Sequence, residues 1–156
     1  MSRLKKGGTV AALAVATIGG FEGLRQTAYP DPATRGKPWT ICYGHTGADV
    51  HPGLRLALDE CKALLLKDAE KAAVRIETCI PSLKDAPAGR YVAVLSLAFN
   101  IGEAGVCKSS VARLMNAGQA VAACNYFLKY NRAAGVVFPG LTRRREQERR
   151  LCLLES

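Results

Sequence analysis

The chain has 156 residues, 49% hydrophobic and 22% charged. That balance belongs to a globular domain and excludes disordered, collagen-like and linker compositions. With 22 Lys and Arg against 13 Asp and Glu, the formal charge is +9, which favours anionic partners such as nucleic acid, acidic membrane or bacterial envelope polymers.

In chain order, a basic start (Arg3, Lys5, Lys6) precedes an uncharged run from Gly7 to Phe21. Secretory signals and membrane anchors begin this way. The run is weakly apolar, being rich in Gly and Ala, and as a helix it reaches roughly 22 Å against about 30 Å of hydrocarbon. Three readings stay open for residues 1–21: a signal cleaved near Ala14-Val15-Ala16, a signal-anchor able to leave the bilayer, and an ordinary first helix. From Phe21 to about His51, Gly, Pro, Thr and aromatics predict a small lobe of short strands, with Trp39-Thr40-Ile41-Cys42-Tyr43 the most β-prone. Apolar residues at 61, 64, 65, 69, 72, 73 and 76 follow the helical repeat and predict one long helix over about 58–80, able to bridge two lobes. Beyond Pro81 the pattern is helical. Ala88–Phe99 is apolar on every side, Ser109 and Ser110 offer a cap to a helix ending near Gly118, and a short helix runs through Tyr130. Gly135–Gly140 reads as a loop, and Thr142 as the cap of a last helix to Leu153.

The six cysteines, at 42, 61, 79, 107, 124 and 152, contain no C-x-x-C pair. Cys42 and His45 lack a second ligand pair at metal-site spacing, so no metal is expected. An export-like N-terminus favours disulfides, against the alternative of small buried thiols in a reducing cell. The run Arg143–Arg150 invites a nucleic-acid reading. Its interleaved Glu146 and Glu148 argue instead for a solvated, ion-paired helix face, and no nucleic-acid partner is expected.

Two acids stand out chemically. Glu22 follows the apolar run, and a carboxyl beside apolar surface resists ionisation, which suits a general acid. Asp31, between Pro30 and Pro32, should be wet and ionised. A sheltered acid facing a solvated carboxylate across a cleft is the arrangement glycosidic cleavage requires.

The string E-G-x-R-x-x-x-Y-x-D from Glu22 to Asp31, then Trp39-Thr40-Ile41-Cys42-Tyr43-Gly44-His45-Thr46-Gly47, resembles the Glu–Asp–Thr catalytic set of phage-type lysozymes, the endolysins of glycoside hydrolase family 24. Glu60–Leu65 with Lys67-Asp68, Ala98–Gly102, and Pro139-Gly140-Leu141 with Arg144, Arg145 and Glu148 continue the match in family order over about 20–153. The N-terminus is similar to the signal-anchor-release subgroup.

The resemblance implies an α+β, predominantly α, two-lobe fold: a small lobe at about 22–57, a bridging helix at about 58–80 and a helical lobe at about 81–156. It implies a muramidase cutting the β-1,4 bond between N-acetylmuramic acid and N-acetylglucosamine of peptidoglycan for host lysis. Glu22 would protonate the leaving oxygen. Asp31 would orient water or stabilise the transition state, and Thr40 would hold the water, giving inversion. Thr40 lies nine residues after Asp31 where the family usually has about six, which leaves Thr34 as a fallback. Asn100 is expected to bind an N-acetyl group, His45 to pair with Asp68, and Arg144 to approach Glu22. Cys79–Cys107 is expected as a bridge not general to the family and Cys61–Cys152 as a second, while Cys42 lies close enough to Thr40 for its oxidation state to matter. No cofactor is expected. The enzyme is expected to be a monomer in the host periplasm, first tethered to the inner membrane, or else cytoplasmic until holin release. A non-catalytic cationic murein- or membrane-binding protein and a lytic transglycosylase are the competing readings.

Overall fold

The computed structural model describes residues 1–31 and 38–155. Thr34 lies outside the described residues. Helix α1 (Gly8–Glu22) opens the chain and leads into strands β1 (Arg25–Pro30), β2 (Trp39–Cys42) and β3 (His45–Thr46). These form an antiparallel sheet in the order β1-β2-β3, with Tyr29 opposite Thr40 and Thr40 opposite Thr46. The β-branched and aromatic run at 39–43 supplies the central strand, as its composition predicts.

Helix α2 (Leu58–Cys79) is the long bridge, about 33 Å by its rise per residue. Its start is secured by the Glu60 carboxylate, which accepts from the Ala57 amide at 2.7 Å. The buried side chains Cys61, Leu65, Ala69, Ala72, Ala73 and Ile76 form a single stripe because they recur at three- and four-residue intervals.

The second lobe comprises α3 (Ala88–Ile101), α4 (Glu103–Cys107), α5 (Ser110–Asn116), α6 (Ala120–Tyr126), a hairpin of β4 (Arg132–Ala133) with β5 (Val136–Val137), and α7 (Pro139–Cys152). Helix α3 is its axis. Tyr91 to Leu95 and Leu97 have no solvent exposure, so an apolar sequence on all sides here marks a helix surrounded by others. Helices α3 and α7 meet closely at Gly89, where a Cβ would lie 2.6 Å from the Leu151 carbonyl oxygen. Ser109 caps α5 by accepting from the Ala112 amide, as expected.

The α+β, predominantly helical arrangement matches the sequence reading, with corrections at the C-terminal end. Gly135–Gly140 is not one loop. Ala134 and Gly135 both have positive φ, 50° and 77°, and form a two-residue turn of the kind that matches strand twist, so 132–137 pairs as a hairpin. Helix α7 begins at Pro139 after Phe138, because proline's fixed φ and missing N–H suit the first helical position. Thr142 therefore lies inside α7, where its hydroxyl donates to the Phe138 carbonyl.

Three disulfides are present: Cys42–Cys61, Cys79–Cys107 and Cys124–Cys152. The expected Cys61–Cys152 bridge is overturned. Cys61 faces β2 near the start of α2, whereas Cys152 ends α7 and meets Cys124 of α6. The first bridge ties the sheet to α2, the second ties the end of α2 to α4, and the third ties α6 to α7.

The N-terminal residues are folded onto the body. Leu4 is buried, and Arg3 donates through Nη1 to the Leu83 and Ala86 carbonyls while its amide donates to Glu77. Glu77 also accepts from the Tyr91 hydroxyl at 2.7 Å, and desolvation together with this bond pushes the Tyr91 hydroxyl's pKa well up. Among the described residues no helix is long and apolar enough to cross a membrane.

Candidate active site

Glu22 is the last residue of α1, where Gly23 at φ 74° breaks the helix and frees the side chain to turn outward. The carboxyl is partly exposed, and Arg144 Nη1 donates to its Oε1 at 2.9 Å. On its other side lies the turn between β2 and β3, where a Cβ on Gly44 would sit 3.8 Å from Glu22 Oε2. The structure thus brings Glu22 to the edge of the sheet that carries Thr40. The sequence predicts apolar shelter; the contact the structure gives the Glu22 carboxyl is an opposite charge, the Arg144 guanidinium.

Thr40 is central in β2 and buried, and its Oγ1 has no hydrogen-bond partner among the described residues. Asp31 follows the last residue of β1, Pro30, which pairs with Trp39. Asp31 is therefore two positions on from Tyr29, the partner of Thr40, just beyond the end of the strand. Asn100 is exposed in the last turn of α3.

His45 lies between two carboxylates. Its Nδ1 is 2.7 Å from Asp68 on α2, and its Nε2 is 3.0 Å from Asp49. Partial burial is the largest single influence and lowers its pKa, but the bonds and charges of Asp68 and Asp49 together outweigh it and leave the pKa raised. Asp49, fully exposed, has its carboxyl held below the usual range chiefly by the bond from His45. Sequence reasoning found Asp68 but missed Asp49, although its i,i+4 relation to His45 was there to be read.

Cys42, two residues beyond Thr40, is joined to Cys61 and adopts φ 61°, uncommon for a residue with a side chain. The bridge holds the floor of the sheet against α2.

Behind Glu22 the basic run on α7 meets the expectation of a solvated face only in part: Arg143, Glu146, Gln147 and Arg150 are exposed. Arg144, Arg145 and Glu148 are all buried. Arg144 lies over the Phe21 ring at 4.7 Å. Its Nε donates to Glu148 Oε2 at 3.3 Å, and its Nη2 donates to the Ser96 carbonyl at 3.3 Å and to Ser96 Oγ at 3.4 Å. Ser96 Oγ in turn donates to Glu148, and Arg145 Nη1 to the Tyr130 carbonyl. Arg145 Nε approaches Glu148 Oε1 at 2.6 Å, an ion pair with neither side chain exposed. Burial pushes the Glu148 carboxyl up in pKa, opposed by Arg145, Ser96 and Arg144. Burial also lowers Arg145, against the pull of Glu148. The interleaved signs were visible in sequence; their burial was not.

The phage lysozyme family model matches residues 19–148. The SAR-endolysin of bacteriophage PS119 is 37% identical over 153 residues, covering 94% of this chain and 88% of that relative. The SAR-endolysin of Enterobacteria phage P21 is 36% identical, with 94% and 89% covered. The chain spans about half the length of the 38% identical endolysin of Bacillus phage B103, covering 51% of it. Among solved structures, a P22 lysozyme mutant superposes with a TM-score of 0.81 at 30% identity, with 92% of this chain and 97% of that one covered. The active form of the P1 phage endolysin Lyz gives 0.77 at 30% identity over 94% and 84%. The secreted inactive form of the same endolysin gives only 0.51, over 69% and 75%.

Proposed function

The chain belongs to the phage lysozyme family, and from that footing we propose that Glu22, Asp31 and Thr40 form the catalytic set of a muramidase used for host lysis. Glu22 is the general acid that protonates the glycosidic oxygen of the leaving sugar. Asp31 orients and deprotonates water or stabilises the oxocarbenium-like transition state, and the Thr40 hydroxyl binds that water on the opposite face, so the anomeric carbon inverts. The observation that carries this reading is Glu22, held by Arg144, against the Gly44 turn of the sheet bearing Thr40. The Thr40 hydroxyl, unpartnered among the described residues, supports it, since a buried hydroxyl lacking a bond costs roughly 1–3 kcal/mol and a catalytic water would supply one. In this reading Asn100, exposed in the last turn of α3, binds an N-acetyl group of the glycan.

The substrate is the β-1,4 bond of bacterial peptidoglycan, and the positive charge of the chain suits that anionic polymer. Glu22→Gln is expected to fold normally and lose hydrolysis of purified cell wall by several orders of magnitude. Mass spectrometry of the released muropeptides is expected to show reducing ends. A 1,6-anhydro product would instead make the protein a lytic transglycosylase, and lysis unaffected by Glu22→Gln would make it a non-catalytic membrane-active protein.

Kinship with SAR-endolysins supports periplasmic action after a membrane tether. In this reading residues 1–21 hold the nascent chain at the inner membrane and then leave it, since a short, glycine-rich segment is weakly retained by lipid. The segment then folds as α1 onto the catalytic domain of residues 22–156, which acts as a monomer. The closer likeness to the active than to the inactive P1 endolysin supports treating the present arrangement as the competent one. Fractionation of expressing cells under Sec inhibition tests it: full-length protein moving from membrane to soluble fraction when export is permitted is the expected result. Protein confined to the cytoplasm would favour holin-dependent release.

A further inference from the structure

Glu148 is a carboxylate without solvent exposure, one helical turn beyond Arg144 on α7, and the scheme above gives it no part. All three nitrogens of the Arg144 guanidinium are engaged. Nε is on Glu148, Nη2 on Ser96, and only Nη1 reaches Glu22. The Phe21 ring fixes the plane of the group from one face. Among the described residues, the charged or titratable groups in contact with Glu148 are Arg144 and Arg145 on its own helix. From α3 it meets the Ser96 hydroxyl, and α1 reaches it through Arg144, by way of Glu22.

We propose that Glu148 is a positioning residue for the general acid: with Ser96 it holds the rear of the Arg144 guanidinium so that Nη1 alone addresses Glu22, and its charge offsets the pull of Arg144 on the Glu22 carboxylate. The inference rests on Glu22 being the general acid. Its physical basis is a charge count over four groups. With both carboxylates ionised, Glu22 and Glu148 balance Arg144 and Arg145. When Glu22 takes up the proton it must deliver, the cluster carries one net positive charge. If Glu148 were neutral, that charge would already be present with Glu22 ionised, and protonating Glu22 would raise it to two. In a dry setting this second charge is strongly opposed. An ionised Glu148 therefore lets Glu22 hold its proton.

The test uses the full-length enzyme on peptidoglycan, with kcat and KM followed across pH and thermal unfolding recorded in parallel. Glu148→Gln is expected to lower kcat about tenfold or more with KM within about twofold. The limb at which kcat falls as pH rises should move about one unit lower, because a tenfold change in proton affinity is one unit. Glu148→Asp should restore part of the rate and return the limb toward its original position. Ser96→Ala, which removes no formal charge but takes a hydrogen bond from Glu148, should lower kcat several-fold and move the limb less than Glu148→Gln does. An unmoved limb in Glu148→Gln, with a rate loss equal to the loss of folded protein, would overturn the proposal. If Glu148→Gln does not fold, an unchanged kcat in Ser96→Ala would overturn it instead. Near-wild-type activity of Glu22→Gln would remove the general-acid reading itself. An inactive Glu22→Gln beside a Glu148→Gln profile identical to wild type would remove only the role of Glu148.

Discussion

Thr40 and His45 lie five residues apart and carry opposite kinds of stability. The Thr40 hydroxyl is buried without a partner among the described residues, so Thr40→Val, which keeps the shape and favours a strand, removes a polar group whose burial opposes folding. That variant should unfold at the same or a slightly higher denaturant concentration than wild type, by up to about 1 kcal/mol, yet lose at least about tenfold in turnover if the hydroxyl binds the attacking water. Equal activity would leave Thr40 a strand residue only. His45 is the converse case. Its pKa is raised in the folded state, so its contribution is complete below the unfolded value of about 6.5 and disappears as pH rises through the folded value. Urea titrations should show wild type exceeding His45→Asn by more at about pH 5.5 than at about pH 9. A difference independent of pH would mean that the imidazolium pairs are of no consequence.

At the scale of elements, the bridges and the closest helix contact determine how the lobes are held. Cys79–Cys107 closes a loop of 28 residues between the end of α2 and α4. Chain entropy assigns such a loop about 3.5 kcal/mol. The double variant Cys79→Ser/Cys107→Ser should lose stability of that order in thermal unfolding while keeping most of its specific activity at low temperature, since neither residue approaches Glu22 or the sheet. Reduction of Cys42–Cys61 is a different matter. It frees β2, which bears Thr40, from α2, so Cys42→Ser should lose activity as well as stability, and at low temperature reductant should lower the specific activity of wild type by more than that of the variant, in which only the two bridges of the helical lobe remain to be opened. Gly89 illustrates a limit of reading elements from pattern. A glycine in the first turn of a helix weakens it, and only the Leu151 oxygen, 2.6 Å from the position of an added Cβ, explains why a larger residue would force α3 and α7 apart. Gly89→Ala should lower the melting temperature measurably despite its better helix propensity.

Over the whole molecule, α1 joins three regions. Its N-terminal approach is held by Arg3 at Leu83 and Ala86, its middle packs at Ile18 into the core, and its end delivers Glu22 to Arg144 of α7. Arg3→Ala should therefore loosen residues 1–7 first, seen as faster amide exchange there at about constant core protection. If α1 must dock for Glu22 to be placed, the same variant should lose some activity.

The residue types and their spacing sufficed for the long bridging helix, the buried α3 and the β-prone strand at 39–42, while the acids and the hydroxyl proposed for the chemistry are singled out by their resemblance to the phage-type lysozyme motif. Those signals are local. Apolar periodicity records which face a helix buries, and turn residues mark where strands end. The partner of Cys61, the second carboxylate on His45 and the burial of Arg144, Arg145 and Glu148 came only from the tertiary structure. The disulfide and the buried cluster depend on which surfaces meet across tens of residues, whereas Asp49 is only four residues from His45 and is brought to it by the turn that follows β3. A run of mixed charges reads as a wet helix face until another helix covers it and supplies, through Ser96 and Glu22, the partners that make burying it tolerable.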